Sequence, residues 1–94
     1  MSVESALLAA FAVQLGPIYL VSHTATPWFS ATFSGERHRL RVETEASPDI
    51  AAFARRIGEV EISLPRGFVA DVAVVEAGDE DPRRISVEAL TIDA

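Results

Sequence analysis

The chain has 94 residues, of which 49% are hydrophobic, and it carries a formal net charge of −6 at pH 7. This length predicts one compact domain over residues 1–94, and the hydrophobic content argues against intrinsic disorder. The negative field of the chain repels phosphate backbones, so a nucleic-acid partner is disfavoured, whereas a protein partner is compatible with the charge.

The residue types that are missing also exclude some chemistry. There is no cysteine, and all eight basic residues are arginines. Disulfides, thiol chemistry and lysine-based covalent catalysis are therefore excluded. An arginine-only, alanine-rich chain indicates a GC-rich coding genome, and we expect a bacterial source.

The start of the chain predicts neither a signal peptide nor a membrane span. The first apolar run is preceded by Glu4 and by no basic residue, unlike the start of a signal peptide. Gly16 and Pro17 then interrupt this run before it is long enough to cross a bilayer. We therefore expect a cytoplasmic protein with no membrane partner.

The first predicted helix spans Ser2 to Leu15. Ser2 is a suitable N-cap, and Gly16 followed by Pro17 ends the helix. Apolar residues form a stripe at helical spacing and also occupy the opposite side. The stripe is Leu8, Phe11, Ala12 and Leu15, and the opposite side is Ala6, Ala9, Ala10 and Val13. A helix that is apolar nearly all round needs cover on both sides, so Ala9 and Val13 are predicted interface residues.

A β-hairpin is predicted next, with arms Trp28–Phe33 and His38–Glu43. It follows a first strand over Ile18–Ser22 and a loop that contains His23. Side chains alternate along both arms, and Gly35-Glu36 fits a two-residue type II′ turn, in which glycine takes the positive φ.

This turn sets a register in which the two faces of the hairpin differ in character. Ala31 pairs with Leu40, Arg39 lies opposite Thr32, and Arg41 lies opposite Ser30. The predicted apolar face consists of Phe29, Ala31, Phe33, His38, Leu40 and Val42. The predicted polar face consists of Trp28, Ser30, Thr32, Arg37, Arg39, Arg41 and Glu43. Such a polar face is typical of a half-exposed sheet, but three arginines beside an indole also suit an anion.

A second helix and further strands follow. Ser47 as N-cap and Pro48 at the first helical position predict a helix over Pro48–Ile57, with Ile50, Phe53, Ala54 and Ile57 on its buried face. Strands are predicted over residues 60–64, 68–76 and 84–92. The acidic loop over residues 78–82 lacks the ligand spacing of a calcium loop, and no metal site or cofactor is predicted.

These elements predict an α+β fold, in which two helices pack on one face of a mainly antiparallel sheet of about five to six strands. The two halves share the order of helix, strand, turn, strand, loop and strand. Residues 29–31 and 68–70, Phe-Ser-Ala and Phe-Val-Ala, also match in part. An αβββ-αβββ internal pseudo-repeat is therefore one interpretation.

No catalytic, metal or cofactor signature is present, and the preferred hypothesis is a non-catalytic interaction or assembly domain that self-associates. Its basis is surplus apolar surface on the first helix and on the strand over residues 68–76. Two helices cannot cover one sheet face and also the other, so that strand adds to the predicted interface. The interface residues are Ala9, Val13, Val69, Ala73 and Val75. A two-fold homodimer, or another protein, is the expected partner.

The alternative hypothesis is a site for a small anionic ligand, or an enzyme, on the arginine face. Arg37, Arg39 and Arg41 would hold the anion, Trp28 would stack on it, and His23 could transfer protons near neutral pH. No nucleophile or base can be assigned, so the list of predicted catalytic residues is empty. Solution mass, together with a thermal-shift screen of anions, separates the two hypotheses.

Overall fold

The computed structural model describes residues 2–45, 48–77, 81 and 83–93. In this part of the chain the elements follow the order α1 (Val3–Leu15), β1 (Ile18–Phe29), β2 (Ser34–Thr44), α2 (Ile50–Ile57), β3 (Phe68–Ala77) and β4 (Arg84–Ile92). The strands form an antiparallel sheet with the spatial order β1-β2-β4-β3. The predicted α+β class and the antiparallel sheet are confirmed.

Both helices pack on one side of this sheet, which we call the inner face; the other side is the open face. The hydrophobic core draws on both helices and on alternate positions of β2 and β4. Its buried members are Ala6, Leu7, Phe11, Leu40, Val42, Phe53, Ile57, Ile62, Val72, Ile85, Val87 and Ala89. The rings of Phe11 and Phe53 meet edge to face with their centroids 6.0 Å apart, so they join α1 to α2.

Helix α1 begins and ends where its sequence signals predict. The hydroxyl of Ser2 accepts a hydrogen bond from the backbone N–H of Ser5 at 3.0 Å, and Gly16 ends the helix with φ of 76°. The buried side is centred on Leu7 and Phe11, both fully inaccessible to solvent. Val13, on the other side, is 81% exposed. The helix therefore keeps one apolar side in solvent.

Helix α2 begins two residues later than predicted. Asp49 is its N-cap, and its carboxylate accepts from the backbone N–H of Ala52 at 3.0 Å. The predicted cap Ser47 lies outside the described residues. Phe53 and Ile57 are buried, as the apolar spacing predicts, whereas Ala54 is exposed.

The β1–β2 hairpin has a different register from the predicted one. Strand β1 continues through the predicted loop after Ser22 to Phe29, and it pairs His23 with Leu40 and Trp28 with Gly35. The turn lies at residues 30–33, where the hydroxyl of Ser30 accepts from the N–H of Phe33 at 2.9 Å. A serine side chain therefore closes this turn, and the predicted turn at Gly35-Glu36 is wrong.

The shift of register spans an even number of residues, so most of the face assignments survive it. Arg37, Arg39 and Arg41 all lie on the open face, and Trp28 shares that face. Ala31 and Phe33, predicted on the apolar face, lie in the exposed turn instead. Phe29, predicted on the same apolar face, is 79% exposed at the end of β1.

The predicted strand over residues 60–64 is absent from the described sheet. Ile62 is buried while Glu61 and Ser63 are exposed, so the predicted alternation of burial is correct. The segment nevertheless pairs with no strand, because it lies against the helical layer and borders a groove beside α1. The described sheet thus has four strands rather than five or six, and the αβββ-αβββ pseudo-repeat is not confirmed.

Strand β3 does not present the predicted apolar face. Register shifts fall between Val69 and Asp71 and between Val74 and Glu76, and each one interrupts the alternation of side chains. Val69 consequently packs against the core, while Ala73 is exposed on the other side of the sheet. Of the predicted acidic loop after this strand, residues 78–80 and 82 lie outside the described chain.

Candidate functional site

The predicted ligand-binding residues lie on opposite faces of the sheet. Arg37, Arg39 and Arg41 occupy the open face of β2, where they lie opposite Thr26, Thr24 and Ser22 of β1. The predicted partners of Arg39 and Arg41, Thr32 and Ser30, are therefore not their neighbours. His23 pairs with Leu40 and belongs to the inner face. The structure brings the arginines together and places His23 apart from them.

Trp28 is held at one end of the open face. Its indole N–H donates to the backbone oxygen of Thr91 at 3.2 Å. To reach β4, the ring must cross β2 at its pairing partner Gly35, which has no side chain. A Cβ atom at Gly35 would overlap the Thr91 carbonyl, so this position requires glycine for close approach of the strands. The indole is tied to this end of the sheet and is not adjacent to Arg39.

The arginines of the open face are partly neutralised by one carboxylate. Glu88 of β4 accepts from Arg37 Nε at 3.3 Å and from the Arg39 guanidinium at 3.2 Å. Both arginine side chains are more than half exposed, so these pairs contribute only about 0–1 kcal/mol each. Arg41 has neither an ion pair nor a side-chain hydrogen bond within the described ranges. On the open face, two of the three arginines of β2 therefore share one carboxylate.

The inner face holds the most unusual polar arrangement of the molecule. A hydrogen-bonded chain runs from Glu4 of α1 through His23 of β1 to His38 of β2. Glu4 Oε2 lies 2.8 Å from His23 Nδ1, and His23 Nε2 lies 2.9 Å from His38 Nδ1. The two imidazole rings are stacked at 29°, with centroids 5.1 Å apart. Three elements of the fold are thus joined by one line of polar contacts.

Burial increases along this chain. The Glu4 side chain is 41% exposed, that of His23 is 16% exposed, and His38 is only 3% exposed. His38 Nε2, at the inner end, is buried and has no hydrogen-bond partner among the described residues. A buried ring nitrogen without a partner is rare in folded proteins and needs a physical account.

The positions of the protons on neutral His23 and His38 follow from counting hydrogen-bond donors and acceptors. An ionised Glu4 only accepts, so the facing His23 Nδ1 carries a proton. A neutral His23 then has a lone pair on Nε2, and His38 must donate from Nδ1 to fill the 2.9 Å contact. The buried His38 Nε2 is left as a lone pair. This state places no unsatisfied donor in the interior, which explains how the unpartnered atom is tolerated.

Burial also resists the addition of a proton to His38. Desolvation lowers the pKa of His38 below its ordinary value, and the neighbouring His23 lowers it further, while the charge of Glu36 partly offsets both. His38 is therefore neutral at neutral pH, in agreement with the donor count. The site can take up a proton, but burial of the charged form makes proton uptake unfavourable.

Sequence patterns identified His23 and His38 separately but missed their contact with each other and with Glu4. His38 was predicted to face the core, and it does. The predicted first strand ended at Ser22, which left His23 in a loop. A strand that continued through residues 23–27 would have placed His23 on the same face as His38. The contact with Glu4 depends on how α1 docks, which no local pattern specifies.

The predicted interface residues lie on two separate elements, α1 and β3. Ala9 and Val13 are exposed on α1 and border one groove, together with Ala6 and Ala10. On β3, Val75 is 43% exposed at a register shift, but Val69 packs against the core. Only the α1 members of the predicted interface therefore form a continuous surface.

Within the described part of the chain, no three acidic, histidine or cysteine side chains are grouped so that they could hold a metal ion. Neither described helix combines the length and the apolar character needed to cross a membrane. No protein-family model, curated protein or solved structure matches the chain. Functional inference consequently depends on the surfaces and side-chain clusters described above.

Proposed function

We propose that this protein is a non-catalytic interaction domain that self-associates through α1. The observation that carries the proposal is the groove between α1 and residues 60–63. It is lined by Ala6, Ala9, Ala10, Val13, Val60, Glu61, Ile62 and Ser63. Val13 stands beside it with 81% of its surface in solvent, on a helix whose other side is buried. Unpartnered apolar surface of this kind usually marks an interface.

A second copy of α1 suits this groove for reasons of shape and charge. The alanines at positions 6, 9 and 10 are small and allow close approach of another helix. Val13 is one turn away and can enter the corresponding groove of the partner. A two-fold axis makes such a contact self-complementary and places the helices antiparallel. In that arrangement Glu4 of one copy lies away from Glu4 of the other, and the helix dipoles are opposed favourably.

The size of the surface predicts a weak association. A helix of 13 residues is about 20 Å long, which buries less area than a stable dimer requires from a single helix pair. The charge of −6 on each chain also opposes association, and salt screens that repulsion. We therefore expect a concentration-dependent dimer whose population rises with ionic strength.

Solution mass measured by analytical ultracentrifugation tests the proposal. Wild-type protein should shift from monomer towards dimer as concentration increases, and Val13→Glu should remain monomeric with unchanged circular dichroism. The matched control is Val75→Glu, which places the same charge at another exposed valine, in β3, and should retain the dimer. A monomeric wild type at every concentration, or a dimer that survives Val13→Glu, would refute self-association through α1.

A second candidate function is anion binding at Arg41, and it is favoured by the sharing of Glu88 between Arg37 and Arg39. This sharing leaves Arg41 without a carboxylate partner in the described chain, beside Ser22 and Ser86. Phosphate should then raise the melting temperature of wild type but not of Arg41→Ala. Arg55→Ala, on the exposed side of α2, serves as control. An equal response of wild type and Arg41→Ala would remove this candidate.

A further inference from the structure

The contacts of the inner face couple α1 to the β1–β2 hairpin through titratable groups. We propose that Glu4, His23 and His38 form an acid-sensitive latch, in which the contact between the two imidazoles holds β1 on β2 at neutral pH and opens on acidification. Glu4 is the sole ionisable residue of α1 and belongs to its first turn. The latch therefore supplies the charged contact between this helix and the sheet. The inference is independent of self-association.

The surroundings of the latch contain few other charges. On β2, Glu36 lies two residues before His38 and acts on it electrostatically, whereas Arg37 and Arg39 point to the open face. On β4, the residue opposite His38 is Ala89, and the buried inner-face neighbours of that residue carry no charge. Among the described side chains of α2 and β3, those packed on the core are apolar, and the charged ones, Arg55, Arg56 and Asp71, are exposed. Proton uptake inside the fold is thus governed by the three latch residues and Glu36.

While Glu4 remains ionised, only one ring nitrogen of the two histidines can accept an added proton. His23 Nδ1 and the contact between the rings already hold protons, so the new proton must reside on His38 Nε2. This atom then becomes a buried donor without an acceptor in the described structure. The charge can lie on either ring, since the proton between the rings can shift to His23 Nε2, but the buried donor at His38 Nε2 remains in both cases. The folded protein therefore resists this proton, whereas an unfolded histidine accepts it freely.

A second proton breaks the latch completely. When both imidazoles are charged, all four ring nitrogens are donors, and the facing pair at 2.9 Å has no acceptor. The rings must separate, while the charged His23 keeps its contact with the carboxylate of Glu4. Strand β1 lies at the edge of the sheet and has only β2 as its paired neighbour. Opening is therefore expected to begin in β1 rather than in the β2–β4 centre.

The direction of the pH dependence follows from proton linkage. Burial of His38 makes this residue bind fewer protons in the folded protein than in the unfolded chain below the ordinary histidine pKa of about 6.5. The contribution of neutral His38 to the free energy of unfolding is therefore fully present above that pH and is lost as the pH falls. The unfolding equilibrium constant should rise by up to about tenfold for each pH unit over this range.

Nitrogen NMR of the histidine rings in wild-type protein tests the latch without any variant. At neutral pH both histidines should be neutral tautomers that carry their proton on Nδ1. On acidification, amide hydrogen exchange corrected for intrinsic rates should accelerate in β1 before β4. A proton on Nε2 of either histidine at neutral pH overturns the proposal. Protonation of His38 with unchanged exchange in β1 overturns it as well.

Urea unfolding of His38→Gln provides the second test, between about pH 7.5 and pH 5, above the range where most carboxylates titrate. Glutamine is polar and does not titrate, so the variant should lose the steep fall in stability shown by wild type. Glu59→Gln, at an exposed position after α2, is the matched control and should retain that fall. If wild type and His38→Gln lose stability in parallel, the latch does not exist. If His38→Gln does not fold, the ring tautomers and exchange rates of wild type decide the question.

Discussion

Replacement of Phe53 by alanine tests how the two helices are held on the sheet. Helix α2 has only eight residues and would not be stable alone in water, so its docking depends on side chains such as Phe53 and Ile57. Phe53 is 2% exposed, and its ring meets that of Phe11 edge to face at 6.0 Å. Its removal leaves a cavity where α1, α2 and the sheet meet.

The magnitude follows from two contributions. Truncation of a buried phenylalanine to alanine costs about 3–5 kcal/mol, of which the aromatic pair geometry accounts for about 0.5–1.5 kcal/mol. For a domain of this size such a loss lowers the melting temperature by about 12–40 °C. It is a large share of the total stability, which is about 5–15 kcal/mol for typical domains.

Urea unfolding followed by circular dichroism measures this change in the free energy of unfolding. The slope of that free energy against urea concentration should equal the wild-type slope if the folded and unfolded states keep their compactness. A cycle with Phe11→Ala and the double variant should give a coupling energy of at least about 0.5 kcal/mol. Arg55→Ala, on the exposed side of the same helix, should stay within about 0.5 kcal/mol of wild type. A Phe53→Ala variant as stable as the Arg55→Ala control would show that α2 is not docked as described.

Two further predictions concern the backbone and the indole. Gly35→Ala should destabilise the fold because its Cβ atom overlaps the Thr91 carbonyl. Gly58 has a right-handed conformation, and a Cβ atom there would meet only the Val72 carbonyl oxygen at 4.0 Å, so Gly58→Ala should stabilise by about 0.4–1 kcal/mol. Equal effects in thermal unfolding would contradict the close approach at Gly35. Trp28→Phe should cost about 0.5–1.5 kcal/mol, since the hydrogen bond to Thr91 is lost. A neutral result in urea unfolding would mean that the indole does not reach β4.

The two uses of glycine explain why the hairpin register could not be predicted. Gly35 followed by Glu36 satisfies the rules for a tight turn, and no local pattern distinguishes a turn glycine from one required for close packing. Here the turn is made by Ser30, whose hydroxyl replaces a backbone partner. Gly35 instead permits the contact between Trp28 and Thr91, which are far apart in sequence.

Helix boundaries were more predictable because their signals are local. Ser2 and Gly16 act within a few residues and have the expected roles, and Phe53 and Ile57 are buried as the spacing in α2 predicts, whereas Ala54 is exposed. Residues 60–64 show the limit of such signals. Alternating burial reports that one side of a segment is covered, but it does not report whether the backbone pairs with a strand. The candidate site needs still longer-range information, because the Glu4–His23 and His23–His38 contacts join three separate elements.

The strand order β1-β2-β4-β3 has a consequence for the sequence of folding events. Each outer strand pairs with its neighbour in the chain, but the central contact joins Gly35 to Ile92 and Glu43 to Arg84 across α2 and β3. Closing this contact costs more loop entropy than closing either hairpin, so it is expected to form last and to limit the folding rate. Shortening the connection between β2 and β4 would therefore accelerate folding more than shortening either hairpin turn, a difference that stopped-flow refolding can measure.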